Sequence, residues 1–401
     1  MAVLLVGTLD TKGVEVAYVR ELLREGGVEC LVVDAGVQGT PPYRGDVTRE
    51  EVFAAAGTTL AAVRSAGDRG QAVTAAARGA ASLCRKLHAD RRLDGVLGLG
   101  GSAGTTIATA AMRELPLGVP KLMVSTMASG QVRPYVGVRD ILMLHSVVDL
   151  SGLNRVSRVV LANAAHAMLG LVRDRVTIAP SDDRPILTAT MFGVTTPCVE
   201  AARAVCERAG YEVLVFHATG SGGQTMESLI LDGVVAGVLD ATTTELADEL
   251  VGGTLSAGPD RLTAAATRGV PQVIGLGALD MVNFGPPDTV PEKFRQRRFH
   301  HHNATVTLMR TTPQENDRLG KEIALKASAA RGPTTVYIPL RGVSALDREG
   351  QPFWWPEADR ALFQSLRDWM SPHVRLVELD LHINDAEFAE AMARGLLEAL
   401  K

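Results

Sequence analysis

Two kinds of hydrophobic run alternate along this chain. One is a short, nearly unbroken apolar stretch. The other is longer, with apolar residues every three or four positions. Val3-Leu4-Leu5-Val6 is the first short run, and residues 14–25 carry helical spacing up to Gly26-Gly27, a helix-stop pair. A second apolar run at 29–33 closes on Asp34-Ala35-Gly36. Buried strand, helix and buried strand at this pitch predict a right-handed parallel βαβ unit. Thr48 and Glu51 stand at capping-box spacing and predict a helix start. An Ala-rich helix is expected at 71–88, strands at 95–99 and 119–124, a short strand within 140–148, and a long helix at 154–173.

The polar stretch 173–184, with Pro180 and then Pro185, predicts a domain boundary, giving lobes at 1–180 and 185–401. Beyond it the pattern returns: strand at 186–191, helix at 199–208, strand at 213–216. Two further blocks recur in order. Asp94-Gly-Val-Leu-Gly98 is answered by Asp232-Gly-Val-Val-Ala-Gly237, and Val119-Pro120 by Val270-Pro271, each beside an apolar run. Ordered blocks at so long a period read as duplication of a domain. The expected fold is α/β: two similar Rossmann-like lobes with mainly parallel sheets and an interlobe cleft, the ligand loops lying beyond the carboxyl ends of the strands.

Composition narrows the class. Hydrophobic residues make up 46% and aromatics 4%, and the net charge is −4, which argues against a general nucleic-acid or anionic-membrane binder. Four cysteines lack CxxC spacing, so neither a zinc ribbon nor a disulfide framework is expected. The first residues lack a signal-peptide pattern, and no run approaches the roughly 20 apolar residues of a membrane span. These features fit a cytoplasmic protein.

The chemistry-bearing residues cluster after predicted strands. Gly98-Leu-Gly-Gly-Ser-Ala-Gly-Thr-Thr106 joins a strand to a helix. Gly100, Gly101 and Gly104 would bring backbone N–H groups close to an anion, with Ser102, Thr105 and Thr106 adding hydroxyls. The loop lacks the P-loop lysine, and a plain βα turn explains the same glycines. In the first turn, Lys12 suits a phosphate, and Asp10 suits Mg²⁺ or a ribose hydroxyl, or simply caps the helix. Asp34 stands where nucleotide folds place a ribose acceptor. Ser129 and Gly130 form another small-residue loop, fit for a base or phosphate.

In the second lobe, Gly220, Gly222 and Gly223 form a nest-like anion site. Asp240, Asp280 and Asn283 follow strands and suit a metal or a polyhydroxy substrate, with helix capping as the competing role. In Arg-Gln-Arg-Arg-Phe-His-His-His-Asn303, neighbouring histidines point to opposite faces of a strand, so an acid/base or anion-contacting His302 fits better than a metal site. Arg310 ends the next strand as a carboxylate or phosphate fork.

Five ordered motifs together resemble one family. They are Gly7-Thr-Leu-Asp-Thr-Lys-Gly-Val-Glu15, the 98–106 loop, Thr219-Gly-Ser-Gly-Gly223 with Met226-Glu227, His302-Asn303 with Val306-Thr-Leu-Met-Arg-Thr311, and Ile383-Asn384-Asp385. The family is the bacterial, fungal and plant group related to the N-terminal ATP-binding region of the tomato mosaic virus resistance protein. The resemblance implies a two-lobed protein, often dimeric, with ATP on the N-terminal lobe. Longer members add a C-terminal TIM barrel, which is not expected here because this sequence stops at Lys401. The expectation is an ATP- and Mg²⁺-dependent enzyme, a homodimer or higher homo-oligomer, acting on a small polar metabolite. Lys12 and the 100–106 loop would take phosphates. Ser129, Gly130 and Asp34 would complete the nucleotide site. Gly220, Gly222, Gly223, Asp240 and Asn303 would hold the metabolite, with Asp280, His302 and Arg310 as catalytic groups. A nucleotide-responsive binding module, and a binder of phosphate esters that does not use ATP, are the competing readings.

Overall fold

The computed structural model describes residues 2–176 and 184–401, and its contacts divide the chain into two units, 1–178 and 179–401. Most of the predicted boundary segment, with Pro180, lies outside the described residues. The first unit is built on β1 (Ala2–Gly7), β2 (Glu29–Asp34), β3 (Gly95–Gly100), β4 (Lys121–Ser125) and β5 (Leu142–His145), all parallel in the order β2-β1-β3-β4-β5. Val3 and Leu5 pack with the helices Leu9–Glu25 and Arg155–Arg173. Leu4 and Val6 pack with the helices Arg69–Ala89 and Ser102–Arg113 on the other face. Coverage on both faces explains why the strands read as unbroken apolar runs.

The second unit contains β6 (Ile186–Met191), β7 (Glu212–His217), β8 (Gly237–Thr242), β9 (Gln272–Gly277), β10 (Met281–Phe284), β11 (Phe299–Asn303), β12 (Val306–Arg310), β13 (Thr334–Pro339) and β14 (Arg375–Leu379). Its main sheet is parallel in the order β14-β13-β9-β8-β6-β7, and β10, β12 and β11 form a small antiparallel sheet. Read from β7, the main sheet repeats the first (second strand, first, third, fourth, fifth) and adds β14 as a sixth at its edge. Of the repeated blocks, the Val-Pro pair falls on equivalent bonds, whereas Asp94-Gly95 leads into β3 and Asp232-Gly233 ends a helix, so that second resemblance is not structural. Val96 N–H donates to the Pro120 carbonyl at 2.9 Å, and Val238 N–H to the Pro271 carbonyl at 2.9 Å. The fold is therefore two Rossmann-like α/β lobes of the same strand order.

Several boundaries differ from the sequence expectation. The first helix starts at Leu9, because Asp34, at the end of the neighbouring strand, accepts from Leu9 N–H at 3.1 Å. Lys12 is a non-helical step inside it (φ −127°, ψ 16°). Asn283 lies within β10, a strand too short to show a period. Thr48 and Glu51 do form a capping box, as does Asn154 with Ser157.

Candidate functional site

In a parallel sheet of this order, the chain reverses between β1 and β3, and a crevice opens beyond their carboxyl ends. A pocket of about 420 Å³ lies there, lined by Thr8, Asp10 and Thr11 after β1, Val37 and Gln38 after β2, and Ala103 and Ile107 in the first turns after β3. Helices Leu60–Ala66 and Arg69–Ala89 supply Val63, Ala72, Val73 and Ala76 as an apolar wall, with Arg64 and Arg69 at its edge. Apolar walls with a few convergent polar groups are what a small-molecule site needs.

The helix after β3 begins beside this pocket, through Ala103 and Ile107. Its N-cap is Gly101, which has no side chain to fold back onto the turn. The first i→i−4 bond is Thr105 N–H to Gly101 O, 2.8 Å, so Ser102, Ala103 and Gly104 carry the N–H groups that a helix leaves without internal acceptors. The glycines divide by role. A Cβ on Gly100 would stand 2.7 Å from Gly104 Cα, so these two let strand and helix touch. A Cβ on Gly101 would meet nothing nearer than Thr126 Oγ1 at 3.7 Å. Thr105 is buried, bonded to Ser125 Oγ at 2.6 Å and Gly101 O at 2.7 Å, and Thr106 bonds back to Ser102 O at 2.9 Å. Their hydroxyls hold the turn together, whereas Ser102 is exposed. Ser129 and Gly130 are exposed in the turn after β4.

The first two loops are cross-linked by their acids. Asp10 Oδ2 accepts from Val37 N–H (3.0 Å) and Gln38 N–H (2.8 Å). Asp34 is buried, accepts from Leu9 and Gly36 N–H, and is gripped by Arg49 through Nε (3.0 Å) and Nη2 (2.9 Å). It shapes the site and has no surface left for a ribose. Lys12 turns away from the pocket and donates to the Leu150 carbonyl.

In the second lobe the expected site residues are held in internal bonds. The N–H groups of Gly220 (2.7 Å) and Gly223 (3.0 Å) both donate to Glu245 Oε1, so the nest already holds a carboxylate of the protein itself. Gly222 packs against backbone, since a Cβ there would fall 1.9 Å from His217 O. Burial pushes Glu245 up from its usual value, against the pull of Arg261. Arg261 also forks Asp240 at 2.5 and 2.6 Å, and Asp240 takes Thr190 Oγ1 at 2.7 Å. Arg310 spends its donors on Phe353 O (2.7 Å), Thr311 Oγ1 (2.9 Å), Asp359 (2.6 Å) and Asp347 (3.4 Å), fully buried. Asp280 is also fully buried, with one oxygen on Ser344 Oγ at 2.8 Å and the other without a partner. His302 is exposed on β11, while Asn303 accepts from Thr305 N–H and Oγ1 in the hairpin turn. No group of three or more His, Cys, Asp or Glu suited to a metal occurs among the described residues.

Sequence reasoning did not single out Gln38, Arg64, Arg69 or the wall at Val63, Ala72, Val73 and Ala76. Only the strand order brings those helices over the β1–β3 crevice. The arginines next to the Gly67-Asp68 break were the available signal.

Comparison with known proteins places this geometry among relatives. Residues 1–177 match the N-terminal domain, and 184–400 the C-terminal domain, of "Uncharacterised protein family (UPF0261)". A UPF0261 protein of Clostridium tetani is 48% identical over 402 residues, spanning 100% of this chain and 99% of its own length. The ToMV resistance protein Tm-1 of Solanum lycopersicum is 44% identical over 336 residues, 82% of this chain and 45% of that protein. Among solved structures, UDP-GlcNAc 2-epimerase from Neisseria meningitidis aligns over 68% of this chain and 82% of that one at 11% identity, with a TM-score of 0.23 that carries no argument.

Proposed function

The chain belongs to the UPF0261 family, and from that premise we propose that its N-terminal lobe binds ATP at the β1–β3 crevice and uses it on a small polar metabolite. One observation carries the reading: a pocket with an apolar wall on one side is lined on the other by Ala103 and Ile107, in the first turns of the helix capped by Gly101. Base and triphosphate need those two surfaces together. The Ser102, Ala103 and Gly104 N–H groups take phosphate oxygens, Arg64 and Arg69 add charge at the rim, and Val63, Val73 and Ile107 pack on the base. Asp10 uses one oxygen to hold the β2 loop and would offer the other to Mg²⁺. Mg²⁺ commonly takes one or two carboxylates and completes its shell with phosphates and water, so a lone carboxylate fits.

No helix among the described residues is long and apolar enough to cross a membrane. We place the protein in the cytoplasm as a homodimer or larger homo-oligomer, a state that light scattering of the purified chain measures directly. The functional test is calorimetric titration of ATP against wild type and Gly101→Asp. Asp is a favourable N-cap, and the open space at Gly101 admits it, so the variant should fold normally. Its carboxylate takes the phosphate's place, and ATP affinity should fall at least about tenfold, roughly 1.4 kcal/mol. Unchanged affinity would remove the phosphate assignment. ATP turnover stimulated by one metabolite separates an enzyme from a nucleotide-responsive module.

A further inference from the structure

Next to the crevice, on the far side of the β2 loop, lies a second hollow of about 620 Å³ whose lining includes Asp34, Thr40, Arg44, Arg49, Glu50 and Arg64. Arg64 lines both hollows. The wall between them is residues 36–39, and its polar groups are fixed from both edges. Gly36 N–H donates to Asp34, and Val37 and Gln38 N–H donate to Asp10. The Val37 carbonyl accepts Arg64 Nε at 2.6 Å, and the Gln38 and Gly39 carbonyls accept Arg49 Nη1 at 2.9 and 3.2 Å. A wall held this way needs no ordering when a ligand arrives on either side.

We propose that this hollow is the subsite of a second ligand, a small oxyanion such as a carboxylate or phosphate ester, and that Arg64 couples it to the nucleotide. The charges decide the class of ligand. Arg49 is 5% exposed and its charge is answered by Asp34 at 2.9 Å, so it braces the site rather than binding in it. Arg44 and Arg64 remain, with Glu50 in the lining beside them and the charge of Glu51, which is capped on Thr48, reaching Arg44. Arg44 is exposed and has no ion pair among the described residues. Arg64 keeps the wall through Nε, which leaves its two Nη groups for ligands. A planar guanidinium presents those donors as a fork matched to carboxylate or phosphate oxygens. One fork set between two hollows lets an anion on one side help hold an anion on the other. Only this coupling rests on the ATP reading. The oxyanion site stands on the hollow and its arginines.

The test is calorimetry on the full chain with inorganic phosphate and, separately, acetate as probes. Phosphate is titrated into Gly101→Asp protein, so that the helix N-terminus is closed to it. Binding should persist there and weaken at least tenfold when Arg44→Gln is added. Acetate binding with the same dependence assigns the ligand to carboxylates, and phosphate binding alone assigns it to phosphate esters. In the wild-type background, Arg44→Gln should leave ATP affinity within twofold, while Arg64→Gln should weaken both ATP and the anion. Binding of neither probe, anion affinity untouched by Arg44→Gln, or phosphate binding abolished by Gly101→Asp alone would overturn the subsite. Anion binding that depends on Arg44 in a chain that never binds ATP would sink the nucleotide reading and the coupling, and leave the oxyanion site in place.

Discussion

Asp280→Asn should make the C-terminal lobe more stable above neutral pH and leave it nearly unchanged in acid. Asp280 is fully buried beside Arg310, with Asp347 and Asp359 on the same guanidinium. Burial, reinforced by the charge of Asp347, pushes its carboxyl up to about 7 against the pull of Arg310 and Ser344. In the unfolded chain the group returns to the usual carboxylate range near 4. Between those values the folded state holds a proton that the unfolded state has lost, so stability falls as pH rises. One proton gives a slope of about 1.4 kcal/mol per pH unit, or about 3 kcal/mol between pH 5 and 7. Asn keeps an acceptor for Ser344 Oγ and carries no charge, so its stability should lack that slope. The assay is urea unfolding followed by tryptophan fluorescence. Trp354, Trp355 and Trp369 are all the tryptophans of the chain and all lie in the second unit, so the signal reports that lobe alone. The two proteins should unfold within about 1 kcal/mol of each other at pH 5, with the variant ahead by about 3 kcal/mol at pH 8. Asp359, raised to about 8 by burial and then by Asp347, shares Arg310 and takes up part of the released proton demand, so about 3 kcal/mol is the upper end. A difference that stays flat across this range would refute the buried-proton argument.

Removing the internal anion of the second lobe with Glu245→Ala strands two N–H groups and the Nε of Arg261, whose other donors stay on Asp240 and Glu227. It should cost about 3–5 kcal/mol in the same fluorescence assay, with acetate recovering part of the loss in the variant but not in wild type. Lys12→Met should lose about 1 kcal/mol with its bond to Leu150 and hold ATP affinity within threefold; a drop beyond tenfold would show that the ammonium leaves Leu150 for a phosphate. Val73→Trp, at a half-buried position of the apolar wall, fills the pocket and should abolish ATP binding while far-ultraviolet circular dichroism stays native. Thr48→Ala removes a capping box and should lower the stability of the first lobe by about 1 kcal/mol, read by circular dichroism because that lobe has no tryptophan.

The layered α/β lobes and their duplication were legible because parallel strands buried on both faces leave unbroken apolar runs, and repeated dipeptides such as Val119-Pro120 and Val270-Pro271 mark equivalent bonds. The site was half legible. The 98–106 loop announced its helix N-terminus, but nothing local announced that Thr105 points into the core or that Arg64 closes the pocket. Those facts depend on strand order and on how the helices Leu60–Ala66 and Arg69–Ala89 pack over the crevice.

The two glycine nests show the limit most clearly. Gly100 to Gly104 and Gly220 to Gly223 look alike as sequence: each follows a strand, opens a helix and lacks a lysine. What separates them is an acid 22 residues beyond Gly223, since Glu245 reaches back to fill the second nest. The first helix start has only Gly101 as its cap. A glycine loop states that backbone N–H groups are on offer. Whether a ligand can take them depends on the nearest internal carboxylate, and that is a property of the packed lobe. The same reasoning moves the second ligand out of the second lobe. Asp240 and Arg310 have the right chemistry for a substrate, but each already spends it on a buried partner, whereas Arg44 and Arg64 line the exposed hollow beside the β1–β3 crevice.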